Sequence, residues 1–192
     1  AYKWILNASN IVRLNAGTGY RVANVFSEDH AALTGSREVI VVGDLKPEQS
    51  VNMNLNYVTK FYKEKFFIGI DMSLFYTRFS NRIIADYDTD PNKIYFNNLQ
   101  GYAISQGASA NIDLVFKHVP IKFLVGGTYM DNYKVESSTR SKQILTENFT
   151  GTWTISYEWK KKGLSFDYTG NVYSPMRLPL LGELDPRKEY SP

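Results

Sequence analysis

The sequence predicts an all-β protein, an antiparallel meander of about seven or eight long strands crossing a membrane as part of a β-barrel. Three observations carry this. Apolar and polar residues alternate over runs longer than a soluble strand needs. The connections between those runs are short and long by turns. No apolar helical period extends over a useful stretch. The run Phe66–Phe79, FFIGIDMSLFYTRF, shows the pattern best. Ile68, Ile70, Met72, Leu74 and Tyr76 fall on one face. Gly69, Asp71, Ser73 and Thr77 fall on the other, with Phe75 the one large exception. Ordinary strands run about 5–6 residues, whereas a tilted strand crossing a bilayer needs about 9–11. This run is long enough to span.

The other elements follow in order. Tyr2–Leu6 reads as a strand ending in the turn formers Asn7-Ala8-Ser9-Asn10. From Ile11, Val12, Leu14, Ala16, Thr18 and Tyr20 oppose Arg13, Asn15, Gly17, Gly19 and Arg21. A long excursion to Pro47 carries a short apolar run, Val39–Val42, with the makings of a small strand. In the strand from about Glu48 to Phe61, Val51, Met53, Leu55 and Tyr57 alternate with Asn52, Asn54 and Asn56. A soluble core would hardly accept three asparagines on one face, but a water-filled lumen would. Tyr62–Lys65 is a short turn before the central strand, and Ser80–Gln100 is a second long excursion. Tyr102–Phe116 sets Ala108, Ala110, Ile112, Leu114 and Phe116 against Gly107, Ser109, Asn111 and Asp113. After the turn Lys117–Pro120, Ile121, Phe123, Val125, Gly127 and Tyr129 form the next apolar face, and a third excursion covers about Asn132–Glu147. Phe149, Trp153, Ile155, Tyr157 and Trp159 then oppose Thr150, Thr152, Thr154, Ser156 and Glu158. Past the basic turn Lys160–Gly163, Leu164, Phe166, Tyr168 and Val172 oppose Ser165, Asp167, Thr169 and Asn171. Ser174–Pro192 holds four of the seven prolines and reads as loop.

Composition fits this scheme. Aromatics are 15% of residues, with 14 Tyr against 11 Phe, an excess suited to amphipathic rings at an interface. Tyr20, Tyr76, Tyr157, Trp159 and Tyr173 stand near strand ends, where interfacial girdles belong. A net charge of +3, dispersed along the chain, does not argue for nucleic acid. There is no cysteine, so no disulfide framework. No apolar run approaches the ~18 residues of a transmembrane helix. A soluble β-barrel or adhesin-like binding module would also alternate, with a charged outer face. Here the polar face is rich in Asn, Ser, Thr and Gly and poor in Lys and Glu.

Few residues suggest chemistry. Asp86-Tyr87-Asp88-Thr89-Asp90 opens like an EF-hand loop, but Pro91 stands where Gly is needed and Asn97 where the bidentate Glu belongs. That leaves an irregular calcium loop or plain solvated carboxylates. Glu28-Asp29-His30 places acids beside one of two histidines, with His118 in a turn at the opposite end, a poor metal set. Nothing resembles a nucleophile elbow, and Lys160–Lys162 reads as a solvated turn. No catalytic, cofactor-binding or metal residue is expected, no cofactor is implied, and an enzyme is disfavoured.

Gly17-Thr18-Gly19-Tyr20-Arg21, Leu45-Lys46-Pro47-Glu48-Gln49-Ser50 and Phe75-Tyr76-Thr77-Arg78-Phe79 resemble the TonB-dependent outer-membrane receptors, especially those of Bacteroidetes-type bacteria. Asn98, Gly101, Gly107, Tyr168-Thr169-Gly170 and Pro175-Met176-Arg177-Leu178-Pro179 extend the resemblance through most of the chain; Ser109 departs from it, standing where the pattern has Glu. The resemblance implies a C-terminal barrel fragment of a large multi-pass outer-membrane barrel of about 22 strands with a plugged lumen. Residues 1–192 are then expected to form one partial barrel domain, with the plug domain and the final strands absent. The implied function is import of a scarce solute of the ferric siderophore, haem or cobalamin class. The implied partners are that small-molecule ligand, the TonB complex through the absent plug region, and outer-membrane lipid, with no nucleic acid. The resemblance identifies no ligand-binding residue. The ligand is expected at the long segments, about Ala23–Asp44, Ser80–Gln100, Asn132–Glu147 and Ser174–Pro192.

Overall fold

A computed structural model describes residues 1–22, 38–86 and 89–177. The strands are β1 (Tyr2–Asn7), β2 (Asn10–Arg21), β3 (Glu38–Val41), β4 (Glu48–Tyr62), β5 (Phe66–Ser80) and β6 (Ile83–Asp86), followed by β7 (Lys93–Asn98), β8 (Gly101–Phe116), β9 (Ile121–Glu136), β10 (Thr139–Lys142), β11 (Phe149–Trp159) and β12 (Leu164–Tyr173). One antiparallel sheet runs β1-β2-β4-β5-β8-β9-β11-β12, with β10 folded back on β9. Sequence neighbours are spatial neighbours, as short hairpin connections require. Among the described residues β1 and β12 do not pair, so the sheet is an open arc of wall.

Register explains the two faces. Trp4, Val12, Tyr57, Met72, Ala110, Gly127, Gly151 and Val172 are directly opposed from strand to strand along the sheet. The adjacent row is Lys3, Arg13, Asn56, Ser73, Ser109, Thr128, Thr150 and Tyr173. A period of two therefore puts an apolar row beside a polar row across all eight strands. The first row begins near the turn end of β2 and finishes at the far end of β12. That drift is the stagger that tilted barrel strands require.

Exposure runs opposite to that of a soluble protein. Leu74 is 57% exposed and Met53 54%, while Asn52, Asn54 and Asn56 are half-buried. The polar face is knitted together: Arg13 Nη1 donates to Asn56 Oδ1 at 3.0 Å, and Asn56 Nδ2 donates to Asp71 Oδ1 at 2.7 Å and Ser73 Oγ at 3.0 Å. Phe75, the exception on this face, lies over Gly107 of the next strand. A Cβ at Gly107 would fall 2.6 Å from the Phe75 ring and 2.2 Å from the Tyr129 carbonyl oxygen. The glycine is what lets the ring lie flat on the wall.

On β5 the apolar outer face runs from Phe66 to Tyr76, roughly 34 Å of strand, or about 25 Å of height once tilted by ~40°. This matches the apolar band of an outer-membrane barrel. Immediately above it the same face turns polar. Arg140 Nη2 and Gln106 Nε2 both reach Asp131 Oδ2, at 2.7 and 3.2 Å, and Arg78 lies over the Tyr102 ring. Tyr157 and Trp159 stand on the apolar face at the opposite end, as a girdle expects. Tyr173 does not. It opposes Thr150 on the polar face, and its hydroxyl accepts from Asn171 Nδ2 at 2.8 Å.

The four short turns lie at one end. Asn7 Oδ1 accepts from Ser9 N, and Gly163 closes the Lys160–Lys162 turn with φ 63, the left-handed conformation glycine adopts freely. The described parts of the long segments lie at the other end, and the third segment is shorter than the sequence suggests. β9 continues through Asn132 to Glu136, and Ser137-Ser138, both with positive φ, reverse the chain into β10. The alternation fades there because strand ends above the apolar band meet water on both faces.

Met72→Arg should impair insertion into lipid vesicles far more than the neighbouring Ser73→Arg. An arginine on the lipid face near the midplane costs about 2–4 kcal/mol, whereas one on the lumen face remains hydrated. Folding yield on a gel-shift assay measures the difference, and equal yields would reverse the face assignment.

Candidate functional site

The long segments are built, not merely connecting. β3 pairs in parallel with β7 (Val39↔Ile94, Val41↔Phe96), and β6 pairs antiparallel with β7. Two excursions separated by β4 and β5 thus share a three-stranded sheet. Its core is Ile83, Ile94 and Phe96, packed with Val39, Val41, Leu45 and Ala85. Asn98 clamps the segments: its Nδ2 donates to Lys46 O and Asn81 O at 2.9 and 2.7 Å, and its Oδ1 accepts from Lys46 N at 2.7 Å. Asn81 itself holds φ 53, which asparagine tolerates.

Between this cap and the lumen face of β8 and β9 lies a recess of about 520 Å³. Ala103, Lys134 and Glu136 line its wall side, and Ile83, Asp86 and Phe96 its cap side. Ile144, Leu145 and Arg177 complete the rim, tied by Leu145 N donating to Arg177 O at 2.8 Å. Three of the four long segments expected to meet a ligand therefore converge on one cavity, and the first reaches the same cap through β3.

The lining carries Arg82, Lys134, Lys142 and Arg177 against Asp86 and Glu136, an excess of positive charge among apolar side chains. Burial holds the Arg82 guanidinium below the usual arginine range; the Glu48 carboxylate raises it, and nearby Arg21 lowers it further. That carboxylate is already engaged, accepting from Arg21 Nε and from Ile83 N, both at 2.7 Å. A desolvated cation beside a committed counter-ion is well suited to an incoming anion. Sequence reading did not single out these cations, because charges in long polar segments look solvated until the fold gathers them.

The residues weighed for chemistry fall elsewhere or are occupied. Asp86 accepts from the Thr89 backbone and hydroxyl, and Asp90 accepts from Asn92 N at 2.8 Å, so these carboxylates shape a turn. Tyr87 and Asp88 lie outside the described residues, as do Glu28, Asp29 and His30. His118 sits in the β8–β9 turn, and Lys160–Lys162 form an exposed 3₁₀ turn at the same end.

A long-stranded sheet with an exposed apolar band, a polar inner face and elaborated segments at one end defines the wall of a transmembrane β-barrel. The chain belongs to the family described as TonB dependent receptor-like, beta-barrel, whose model matches residues 1–177. Members of that family are transport proteins of the outer membrane. Among solved structures, the fold is similar to the FrpB iron transporter from Neisseria meningitidis (F3-3 variant), with a TM-score of 0.62 at 11% identity. The match covers 91% of this chain and 26% of that one, so this chain spans about a quarter of its relative's length. No curated protein matches the sequence.

Ile94 is only 1% exposed and anchors the cap core. Ile94→Ala should cost the cap about 2–5 kcal/mol while leaving the wall inserted. Limited proteolysis of the folded receptor should then cut within 80–100 without lowering insertion yield.

Proposed function

We propose that this chain is part of the barrel wall of an outer-membrane, TonB-dependent importer of a scarce solute of the ferric siderophore, haem or cobalamin class. The observation that carries this is the convergence of the long segments on one positively charged recess over the lumen. In this reading the long segments face the cell surface and the short turns the periplasm. A soluble chelate would settle against Arg82 and Lys134, with Ile83, Phe96 and Leu145 taking its apolar flank. The TonB complex, acting through a plug, would supply the energy for passage. The excess of cations favours an anionic chelate over a neutral one. The Bacteroidetes-type affinity rests on the sequence motifs alone. A soluble binding module fits less well, because its apolar face would be the buried one.

A single Cys at Ser138 in the intact receptor should react with a membrane-impermeant label on whole cells, and one at Lys161 should not. The reverse pattern would place the recess on the periplasmic side.

Cells dependent on this receptor can be given a ferric catecholate siderophore, haem or cyanocobalamin as sole source. Arg82→Glu with Lys134→Glu should lower uptake of the anionic nutrient at least tenfold at unchanged surface level. Unchanged uptake of all three would remove the recess as the ligand site.

A further inference from the structure

The apolar face carries a second concavity unrelated to the recess. Met72 and Leu74 form one ridge, and Tyr129 and Phe149 the other. Between them Ala108, Ala110 and Gly127 make a floor too small to fill the gap. The groove holds about 570 Å³, and its lining is almost entirely carbon. Opposed positions on neighbouring strands put these small residues side by side (Leu74↔Ala108↔Tyr129 and Met72↔Ala110↔Gly127), so the hollow is built by register.

We propose that this groove seats one hydrocarbon chain of an anionic membrane lipid, whose phosphate meets Arg78. Two observations select that occupant. The groove is continuous with the band that contacts hydrocarbon, and the surface it presents is almost wholly apolar, which suits a hydrocarbon chain better than a peptide backbone. Arg78 lies on the same face of β5 as Met72 and Leu74, beyond Tyr76, at the level where the outer surface turns polar. It is exposed, rests over the Tyr102 ring at 4.7 Å, and among the described residues has no carboxylate within ion-pair distance. Asp131, the nearby acid of this surface, is already held by Arg140 at 2.7 Å. A phosphate would supply the missing counter-charge while its chain fills the space over Ala108 and Ala110.

Native mass spectrometry of the detergent-released intact receptor, titrated with phosphatidylglycerol or phosphatidylcholine, tests this. Wild type should retain one phosphatidylglycerol about tenfold more tightly than phosphatidylcholine. Ala110→Phe should abolish the 1:1 adduct with both lipids, and Ala108→Leu should do the same if the first variant fails to fold. Arg78→Gln should keep the adduct but remove the preference for phosphatidylglycerol. The proposal is overturned by a broad, unselective lipid distribution in wild type. An adduct that survives a filled groove in a folded variant, or a dimer that Ala110→Phe dissociates, also overturns it. It rests on the apolar face meeting lipid, which the Met72→Arg and Ser73→Arg pair tests independently.

Discussion

Within hydrocarbon there is no water to satisfy a peptide group, so every backbone N–H and C=O in the wall must find its partner in the next strand. The rest of the structure depends on that constraint. It explains why the wall strands β4, β5, β8 and β9 are 15–16 residues long and paired almost throughout. The one shift in the β1–β2 register falls between Ile5 and Asn7, beside a turn where water is at hand. The three-stranded cap, with its small apolar core and its side-chain clamp at Asn98, is confined to the end beyond the apolar band.

With the ladder supplying cohesion, side chains on the two faces serve different solvents. On the inner face polar groups bond one another, as Arg13, Asn56 and Asp71 do. On the outer face bulk alternates with absence. Phe149 covers Gly127 and Gly151, and Trp153 lies so close over Gly170 that a Cβ there would sit 2.2 Å from the indole. Aromatic rings laid over glycine stiffen the wall where a branched side chain would otherwise pack.

The wall was legible in the sequence because its signals are local. Period-two alternation, strand length and the contrast between turns such as Lys160–Gly163 and excursions such as Ser80–Gln100 all survive in one dimension. Faces could be assigned wherever a strand lay between lipid and lumen, as with Asn52, Asn54 and Asn56 against Val51, Met53 and Leu55. At Tyr173 the pattern failed, because an aromatic at a strand end satisfies either face. The cap was half legible. Val39–Val42 looked like a strand, yet its partner, Ile94–Phe96, lies beyond two wall strands, and parallel pairing leaves no turn to mark it. The recess was least legible, since Arg82, Lys134 and Arg177 share a site only after those pairings form.

The β3–β7 pairing also sets an order of events for the folding chain. Each wall hairpin closes a short loop and can form early, but β3 meets β7 only after β4 and β5 have been threaded and β6 has turned back. The entropy of closing that large loop is offset only by contacts that do not exist until the wall beneath is in place. The cap is therefore the last piece to form and the first to open. A chain caught midway through assembly would have its wall strands paired and no roof over them, so the recess would not yet exist.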